Sequence, residues 1–310
     1  MNRLSLKDKF VFWGKGVYIK LFGEERWAVR RFIKTQGKRP NFSNPHTMNE
    51  KMAWLKINYS EPFHIKACDK YLVHDYLKDK LGKDYAPELF FVTQDPSELK
   101  IENIKKFPCI IKVSNGSGSN LIVNTPDQYT DEYLQAFFKD QIIVSNAHAV
   151  SSLEHQYLKK NPYIVVERLL SDGKGGIPND YKFLYINGKL EFIYCSVDRL
   201  GANVRQVYDK NWKRLHFIWV AGADEKMFKY YESSESIEKP VGFDEMFRLS
   251  QKIAEDFPMV RVDFYEENEN VYIGEITLHH GSAGDKFYPE KYDEYYGNKL
   301  VLPRANRKER

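Results

Sequence analysis

The sequence predicts an α+β protein built on antiparallel sheets. Before residue 86 apolar residues recur at helical spacing, whereas after it they form short, strand-like runs bounded by Gly, Pro, Asn or Asp. Asn187-Gly188 separates two of these runs and is a strong signal for a two-residue β-hairpin. Because most runs follow one another without a helix between them, their order favours antiparallel sheets over a βαβ arrangement.

The first part of the chain is predicted to be helical. Apolar residues spaced three and four apart indicate one helix over residues 5–34. Thr47, with Glu50 three residues later, resembles a capping box that opens a helix through Leu55. A further helix is predicted over residues 65–81.

The rest of the chain is predicted to alternate between strands and two helical stretches. The strand-like runs are Leu89–Val92, Cys109–Val113, Leu121–Val123, Tyr163–Val166, Lys182–Ile186 and Leu190–Ser196. The helical stretches cover residues 131–139 and 243–256.

Composition excludes several classes of protein. No apolar run approaches the roughly 18 to 20 residues that span a bilayer, and the start does not have the pattern of a secretory signal. Three scattered cysteines (Cys68, Cys109 and Cys195) are odd in number, which argues against a disulfide framework and a zinc site. The sequence therefore predicts a cytoplasmic protein.

Positive charge is concentrated at the two ends. The net charge is +4, yet residues 1–40 carry +8 and the segment after Leu302 carries +3. A basic end on an acidic body suggests attraction to an anionic surface, such as a membrane, a glycan or nucleic acid. A solvated basic helix is the alternative. For the membrane case, a stripe of apolar side chains would lie on anionic lipid: Phe10, Trp13, Val17 and Leu21.

A small-residue loop follows the strand that carries Lys112. Its backbone N–H groups can approach an anion closely, and the lysine supplies a point charge for phosphate. The loop runs to Asn120 and contains Ser114, Asn115, Gly116, Ser117, Gly118 and Ser119. It differs from a Walker loop because it joins two strands rather than opening a helix. A Gly/Ser hairpin without any ligand remains the alternative.

A hairpin near the end of the chain places two acids opposite each other. If its polar turn centres on Glu269, Asp263 and Glu275 form a direct cross-strand pair on one face. Like charges so placed repel unless something positive lies between them, and Mg²⁺ prefers carboxylate oxygens. Thr277 lies on the same face two residues further on. An exposed hairpin with scattered acids is the alternative.

Several separated motifs in register resemble the TupA-like family of the ATP-grasp superfamily, over roughly residues 35–300. They are Asn44–Leu55, Asp69–Tyr71, Ile111–Gly118, Asp180–Phe183, Asp198-Arg199, Tyr208–Trp212, Phe257–Phe264 and Gly274–Thr277. The resemblance implies an ATP-grasp fold in which two antiparallel-sheet subdomains sandwich ATP. It implies a helical N-terminal region at 1–95, a lid subdomain at 96–166, a larger subdomain with the metal site at 167–300, and a basic tail at 301–310.

The resemblance also implies roles for individual residues. Lys70 and Lys112 would contact nucleotide phosphates under the cover of the loop Ser114–Asn120. The segment Glu167, Arg168, Leu169 and Leu170, otherwise an ordinary buried strand, would line the adenine pocket. Asp263 and Glu275 would bind Mg²⁺, with Thr277 in the position that is commonly Asn. His279 and His280 could touch substrate or be structural.

A last group of charged residues would face the reacting groups: Asp180, Lys182, Asp198, Arg199 and Arg205. As unpaired surface charges they would be unremarkable. The resemblance implies a ligase that joins a carboxylate to an amine at the expense of ATP, acting on a cell-surface polysaccharide with an amino acid and a uronic acid as substrates, and no nucleic acid. The alternatives are a glycosyltransferase and a glycan-binding protein without turnover.

Overall fold

The computed structural model describes residues 5–118, 120–173, 176–197 and 204–307. Within them the helices are α1 Leu6–Phe22, α2 Glu24–Gln36, α3 Met48–Asn58, α4 Phe63–Cys68, α5 Val73–Leu81, α6 Asp131–Ser152, α7 Glu225–Glu232, α8 Phe243–Ala254 and α9 Lys291–Lys299. The strands are β1 Leu89–Thr93, β2 Cys109–Val113, β3 Leu121–Val123, β4 Ile164–Arg168, β5 Asp180–Ile186, β6 Lys189–Val197, β7 Val204–Tyr208, β8 Arg214–Leu215, β9 Ile218–Val220, β10 Met259–Glu267, β11 Asn270–Thr277 and β12 Lys286–Tyr288. No helix in the described ranges is both long and apolar enough to cross a membrane.

Two of the predicted helices are each broken in two. The predicted helix over 5–34 is interrupted at Gly23, whose φ of +85° ends α1 and which directly precedes α2. Glycine adopts this left-handed backbone without the steric cost that a side chain brings. The predicted helix over 65–81 is interrupted at Asp69, whose carboxylate accepts the N–H groups of Tyr71 and Leu72, each at 3.0 Å. This second break projects Lys70 out of the helical layer.

Other local predictions are confirmed. Thr47 caps α3, and its side chain and that of Glu50 form the reciprocal bonds of a capping box. Asn187 and Gly188, with φ of 47° and 72°, form the two-residue turn between β5 and β6. The predicted helix at 131–139 is longer than expected, since α6 continues to Ser152.

The first sheet has four antiparallel strands in the order β1-β4-β2-β3. Alternate residues of β2 point to opposite faces. Cys109, Ile111 and Val113 are buried on one face with Leu134 and Phe138 of α6. The other face of β2 therefore carries Lys112.

The second sheet has six antiparallel strands in the order β11-β10-β5-β6-β7-β8. One face packs on α4, α5 and α8, through side chains such as Leu77 and Leu249. The other face packs on α2, α3 and α9, with Phe192 and Met259 among its apolar contacts. Five charged side chains of β5, β10 and β11 share this second face: Asp180, Lys182, Arg261, Asp263 and Glu275.

The register of the β10–β11 hairpin is as predicted at the two acids. Asp263 lies directly opposite Glu275. The turn itself is different from the prediction, because Asn268 and Glu269 adopt left-handed backbone with φ of 51° and 64°, and form a two-residue turn.

A bulge restores the predicted pairing. The register shifts by one residue between Asp263 and Phe264, which leaves Gly274 of β11 as the extra residue. A Cβ added to Gly274 would lie 2.3 Å from the ring of Tyr265, so glycine is needed for this close approach. The turn and the bulge compensate for each other, which is why Asp263 and Glu275 face each other.

Candidate functional site

The centre of the site is a row of charged side chains across the large sheet. Asp263 is flanked by Lys182 of β5 on one side and by Glu275 of β11 on the other. Arg261 lies two residues before Asp263, hence on the same face, and is opposite Thr277. Register alone thus brings these five side chains together.

Arg261 makes a bidentate pair with Asp263. Its Nε donates to Oδ1 at 2.6 Å and its Nη2 to Oδ2 at 2.7 Å. The same Nη2 lies 3.1 Å from Thr277 Oγ1 and 3.8 Å from Glu275 Oε2. Arg261 is a functional candidate that the sequence analysis did not assign, although its position two residues before Asp263 was a usable signal.

Lys182 is the second cation of the row. Its Nζ donates to Asp263 Oδ2 at 2.8 Å and also to Asp180. Positive charge therefore lies between the acids, as like-charge repulsion requires, and the protein itself supplies part of it through Arg261 and Lys182.

Burial and the two neighbouring cations have opposite effects on the pKa of Asp263. Burial by itself would raise the pKa of this carboxyl. Arg261 and Lys182 outweigh burial and lower the pKa to about 2. Asp263 is consequently ionised at neutral pH although it is buried.

The residues present fit a hard divalent cation. Asp263, Glu275 and Thr277 offer carboxylate and hydroxyl oxygens, the donor type that Mg²⁺ prefers, and Mg²⁺ usually keeps several waters. Glu275 is partly exposed, with Arg261 at 3.8 Å, so it has lone pairs available. Within the described ranges no three His, Cys, Asp or Glu side chains converge on one point, so the third protein ligand would be a hydroxyl.

The polar face of the small sheet carries a second ion pair. Lys112 Nζ donates to Glu167 Oε2 at 2.6 Å, and both side chains are largely buried. Lys112 is opposite Val165 and Glu167 opposite Ile110, so the two charged residues are diagonal neighbours on one face.

The loop after Lys112 is fastened at its base. The backbone N–H of Lys70 donates to Ser114 O at 3.0 Å, and Lys70 Nζ donates to Gly116 O at 2.6 Å. Ser114 Oγ in turn donates to Asp69 Oδ2 at 2.7 Å. Lys70 and the loop are therefore brought together as predicted, while Ser119 lies outside the described residues and Gly118 has a left-handed φ of 76°.

The predicted adenine segment joins the two sheets. Arg168 forms an ion pair with Glu267 at the tip of the β10–β11 hairpin. The N–H of Ser171 donates to the same carboxylate at 2.8 Å. Leu170 is buried, whereas Leu169 is half-buried. This segment thus connects the small sheet to the hairpin that carries the acids.

A cavity of about 400 Å³ lies where the loop meets the large sheet. Its walls include loop residues Asn115, Gly116 and Ser117, and from the large sheet Arg261, Glu275 and Thr277. The described walls do not include several other predicted residues: Lys70, Lys112, Glu167, Lys182, Arg205 and Asp263.

The predicted substrate-facing residues are placed in part. Asp198 and Arg199 lie outside the described residues. Arg205 on β7 is opposite Ser196, which is opposite Asp180, so these three form a neighbouring row on the same face. The buried Nε of Arg205 has no hydrogen-bond partner within the described part of the chain.

The two histidines after β11 are engaged in the structure. His280 Nδ1 accepts from Arg261 Nη1 at 2.6 Å, and the ring stacks on Trp219 with centroids 4.0 Å apart. His279 Nδ1 lies 3.7 Å from Glu154 Oε1. Burial lowers the pKa of both imidazoles. His280 therefore positions Arg261 rather than facing the cavity itself.

The model of a family described as TupA-like ATPgrasp matches residues 50–301. Comparison with curated proteins gave no match.

Three similar solved structures are ligases. The D-alanine–D-alanine ligase from Helicobacter pylori is 13% identical with a TM-score of 0.46, over 82% of this chain and 69% of that one. The L-amino acid ligase from Bacillus licheniformis is 13% identical with a TM-score of 0.43, over 79% and 53%. The ATP-grasp ligase PsnB with minimal precursor, Mg and ADP is 12% identical with a TM-score of 0.39, over 81% and 66%. This chain thus spans less than two thirds of two of the three.

These TM-scores are below 0.5, so the solved structures say nothing about the substrate of this chain. The family model is different, because the matched segment covers well over half of the sequence. It includes the loop after Lys112 and the row around Asp263. The protein belongs to the TupA-like ATP-grasp family.

Proposed function

We propose that the protein is an ATP-dependent carboxylate–amine ligase that forms an amide through an acyl phosphate in the assembly of a bacterial cell-surface polysaccharide. Membership of the ATP-grasp family supports ATP-dependent ligase chemistry in general. The observation that carries the proposal is the cavity, because both the small-residue loop and the Arg261–Glu275 row line it.

ATP would lie between the two sheets, with its phosphates toward this cavity. Lys112 and Lys70 would hold the phosphates, and the 115–117 loop would cover them. Lys112 exchanges its present partner Glu167 for phosphate, which frees that carboxylate to accept hydrogen bonds from the nucleotide. Arg168, Leu169 and Leu170 would line the base.

Mg²⁺ would be held by Asp263 and Glu275, with Thr277 as a further oxygen donor. When bound, the ion neutralises charge on the phosphates. Arg261 and Lys182 add fixed positive charge on the same face, in a buried setting where it acts more strongly than in water.

The chemistry that fits this arrangement has two steps. A substrate carboxylate oxygen attacks the γ-phosphorus, the bond to the β-phosphate oxygen breaks, and ADP leaves with its charge held by the lysines. An amine then attacks the acyl carbon, and inorganic phosphate and a proton leave. The protein contributes mainly positioning and charge neutralisation.

The substrates would meet beside Arg205 and Asp180. A guanidinium binds a carboxylate in a bidentate fork, and the Nε of Arg205 lacks a partner in the described part of the chain. Arg205 or Arg199 would hold the carboxylate, and Asp180 or Asp198 would orient the amine. A uronic acid and an amino acid are the proposed substrate classes.

Helix α1 is proposed to contact the inner face of the membrane, where lipid-linked glycans are available. Phe10, Trp13 and Leu21 are 73%, 67% and 70% exposed, which is unusual for such large apolar side chains. They lie within the segment of +8 charge, which anionic lipid attracts.

A trapping experiment tests the reaction type. Enzyme, ATP and Mg²⁺ are incubated with pooled uronic and amino acids in hydroxylamine. A ligase should give a hydroxamate and an equal amount of ADP. If no acid and amine pair consumes ATP, but a nucleotide sugar is hydrolysed or transferred, the protein is a glycosyltransferase and the proposal fails.

A further inference from the structure

The cavity extends beyond Glu275 to polar side chains that the proposed phosphoryl transfer does not use. These are Arg31 of α2, Ser145 and His148 of α6, and Ser282 in the turn after β11. They come from three separate parts of the chain and line the same cavity.

Arg31 is a half-buried cation that forms no ion pair among the described residues, and Glu154 is its acidic neighbour on the cavity wall. Its Nη1 donates to the carbonyl of Ser151 at 3.0 Å, and its Nη2 to Ser282 Oγ at 3.4 Å. No carboxylate oxygen in the described ranges lies within the 4.0 Å that defines an ion pair, although Arg261 and Arg307 both have one. A guanidinium has five N–H donors, so three of those of Arg31 remain available.

The wall of the same cavity contains buried polar atoms that lack partners in the described part of the chain. Ser145 is 4% exposed, and its Oγ makes no hydrogen bond within the described part of the chain. Oδ1 of Asn115 likewise makes no hydrogen bond within the described part of the chain, although its Nδ2 donates to Tyr157 O at 2.7 Å. Leaving a buried hydroxyl unsatisfied costs about 1–3 kcal/mol, so such groups commonly mark a ligand or ordered water.

The backbone near Ser282 is held in an unfavourable conformation. Gly281, Ser282 and Ala283 have φ of 52°, 55° and 61° in succession. Left-handed backbone is disfavoured for residues with a side chain and persists only where the surroundings enforce it. Here Lys56 Nζ donates to both the carbonyl and Oγ of Ser282, each at 2.9 Å. The turn thereby directs the Ser282 hydroxyl to Arg31.

Positive charge continues from Arg31 to the outside of the molecule. A groove between α1 and α2 shares Arg31 with the cavity and is also lined by Lys15, Arg30 and Lys34. Burial lowers the pKa of Lys15, and the positive charges of Arg31 and Lys34 lower it further. On the cavity side the described wall carries two acids, Glu154 and Glu275, and His279 and Lys56 lower the pKa of Glu154 against the effect of burial.

We propose that Arg31, Ser145 and Ser282 bind an oxyanion, a carboxylate or a phosphate, of the amine-bearing substrate. The proposal rests on the proposed ligase function, which assigns the activated carboxylate to Arg205 or Arg199 and leaves Arg31 for the second substrate. Arg31 lies outside residues 50–301, so membership of the family does not assign it this role.

Binding measurements test the site apart from catalysis. The full-length protein, saturated with ADP and Mg²⁺, is titrated calorimetrically with the common amino acids, their carboxamides and inorganic phosphate. At least one oxyanion should bind. Arg31→Ala should weaken that binding about 10- to 100-fold, the usual effect of losing a charged hydrogen bond.

Two further variants separate binding from folding. Ser145→Ala removes an unsatisfied hydroxyl, so it should weaken the oxyanion several-fold without lowering the unfolding midpoint. Arg26→Ala, on the exposed side of the same helix, is the matched control and should bind like the wild type. If an amino acid binds more tightly than its carboxamide, the oxyanion of the substrate is a carboxylate. If inorganic phosphate is the only probe that binds, the substrate is phosphorylated.

The proposal is overturned if Arg31→Ala binds every probe as the wild type does, or if no probe binds. ATP affinity is measured on the same preparations. Loss of ATP binding in the wild type would contradict the ligase function, whereas intact ATP binding without Arg31-dependent oxyanion binding would contradict this site alone.

Discussion

Arg261 and Asp263, two residues apart on β10, form a buried bidentate ion pair with N–O distances of 2.6 and 2.7 Å. The pair lies opposite Thr277 and Glu275 on the neighbouring strand. It therefore keeps the acid of the predicted metal site ionised and fixed in direction before any ligand arrives.

Removing Arg261 should destabilise the fold strongly. Arg261→Ala leaves Asp263 buried with Lys182 as its remaining cation, and breaking a buried pair costs about 3–5 kcal/mol. Urea unfolding at pH 7 measures this change. The control is Arg248→Ala, whose exposed pair with Glu245 should contribute less than about 1 kcal/mol. Similar losses in both variants would mean that the buried pair is not a stabilising element.

The site shows which features a sequence can predict. Residue alternation and a polar turn were sufficient to place Asp263 opposite Glu275, although the turn was placed half a residue too late and the bulge at Gly274 corrected it. Sequence pattern does not show which charges compensate each other. From the sequence alone, Arg261 therefore has no predicted role, and Lys112 is predicted to bind phosphate without any indication of its partner Glu167.

Features that depend on distant segments were also missed. Arg31 reaches Ser282 across 251 positions of sequence, and no local pattern indicates such a contact. The break at Gly23 was missed for another reason, because apolar spacing continues through it while the left-handed backbone interrupts the helix. Periodicity reports which face is apolar, not where the axis bends.

Glu275→Gln should abolish ATP turnover and leave the fold intact. Glu275 is partly exposed and its nearest cation is 3.8 Å away, so its stability contribution is small. An amide is a poorer ligand for Mg²⁺ than a carboxylate. ADP release and thermal unfolding are measured together, and normal turnover in the folded variant would remove the metal assignment.

Lys112→Met should weaken ATP binding much more than adenosine binding. The lysine is assigned to phosphate, and adenosine has none. Because the variant strands Glu167 without its partner, Lys112→Met/Glu167→Gln serves as the charge-matched control. Calorimetric titration with ATP and with adenosine measures the two affinities in each variant. Equal losses of affinity for ATP and adenosine would show that the lysine is structural.

Lys56 should make the free energy of unfolding depend on pH in the alkaline range. Burial lowers its folded pKa to about 7, whereas an unfolded lysine titrates near about 10.4. Between these values the unfolded chain binds more protons, so the free energy of unfolding rises with pH. Urea unfolding from pH 7 to 10 should show this rise in the wild type and a flatter profile in Lys56→Met. Parallel profiles would contradict the lowered pKa.

Helix α1 should bind anionic membranes through its exposed apolar side chains. Phe10→Ser/Trp13→Ser removes two side chains that make no core contact in the structure, so the fold should be unaffected while partition to vesicles falls. The control is Val241→Ser, which alters an apolar side chain that is 77% exposed but lies far along the chain from the basic segment.

The measurement is co-sedimentation with vesicles that contain anionic lipid, and binding should fall in the double variant alone. Binding of the wild type should also fall with rising salt, because the +8 segment contributes electrostatically. Binding that is insensitive to both the substitutions and salt would show that α1 is a solvated helix and not a membrane contact.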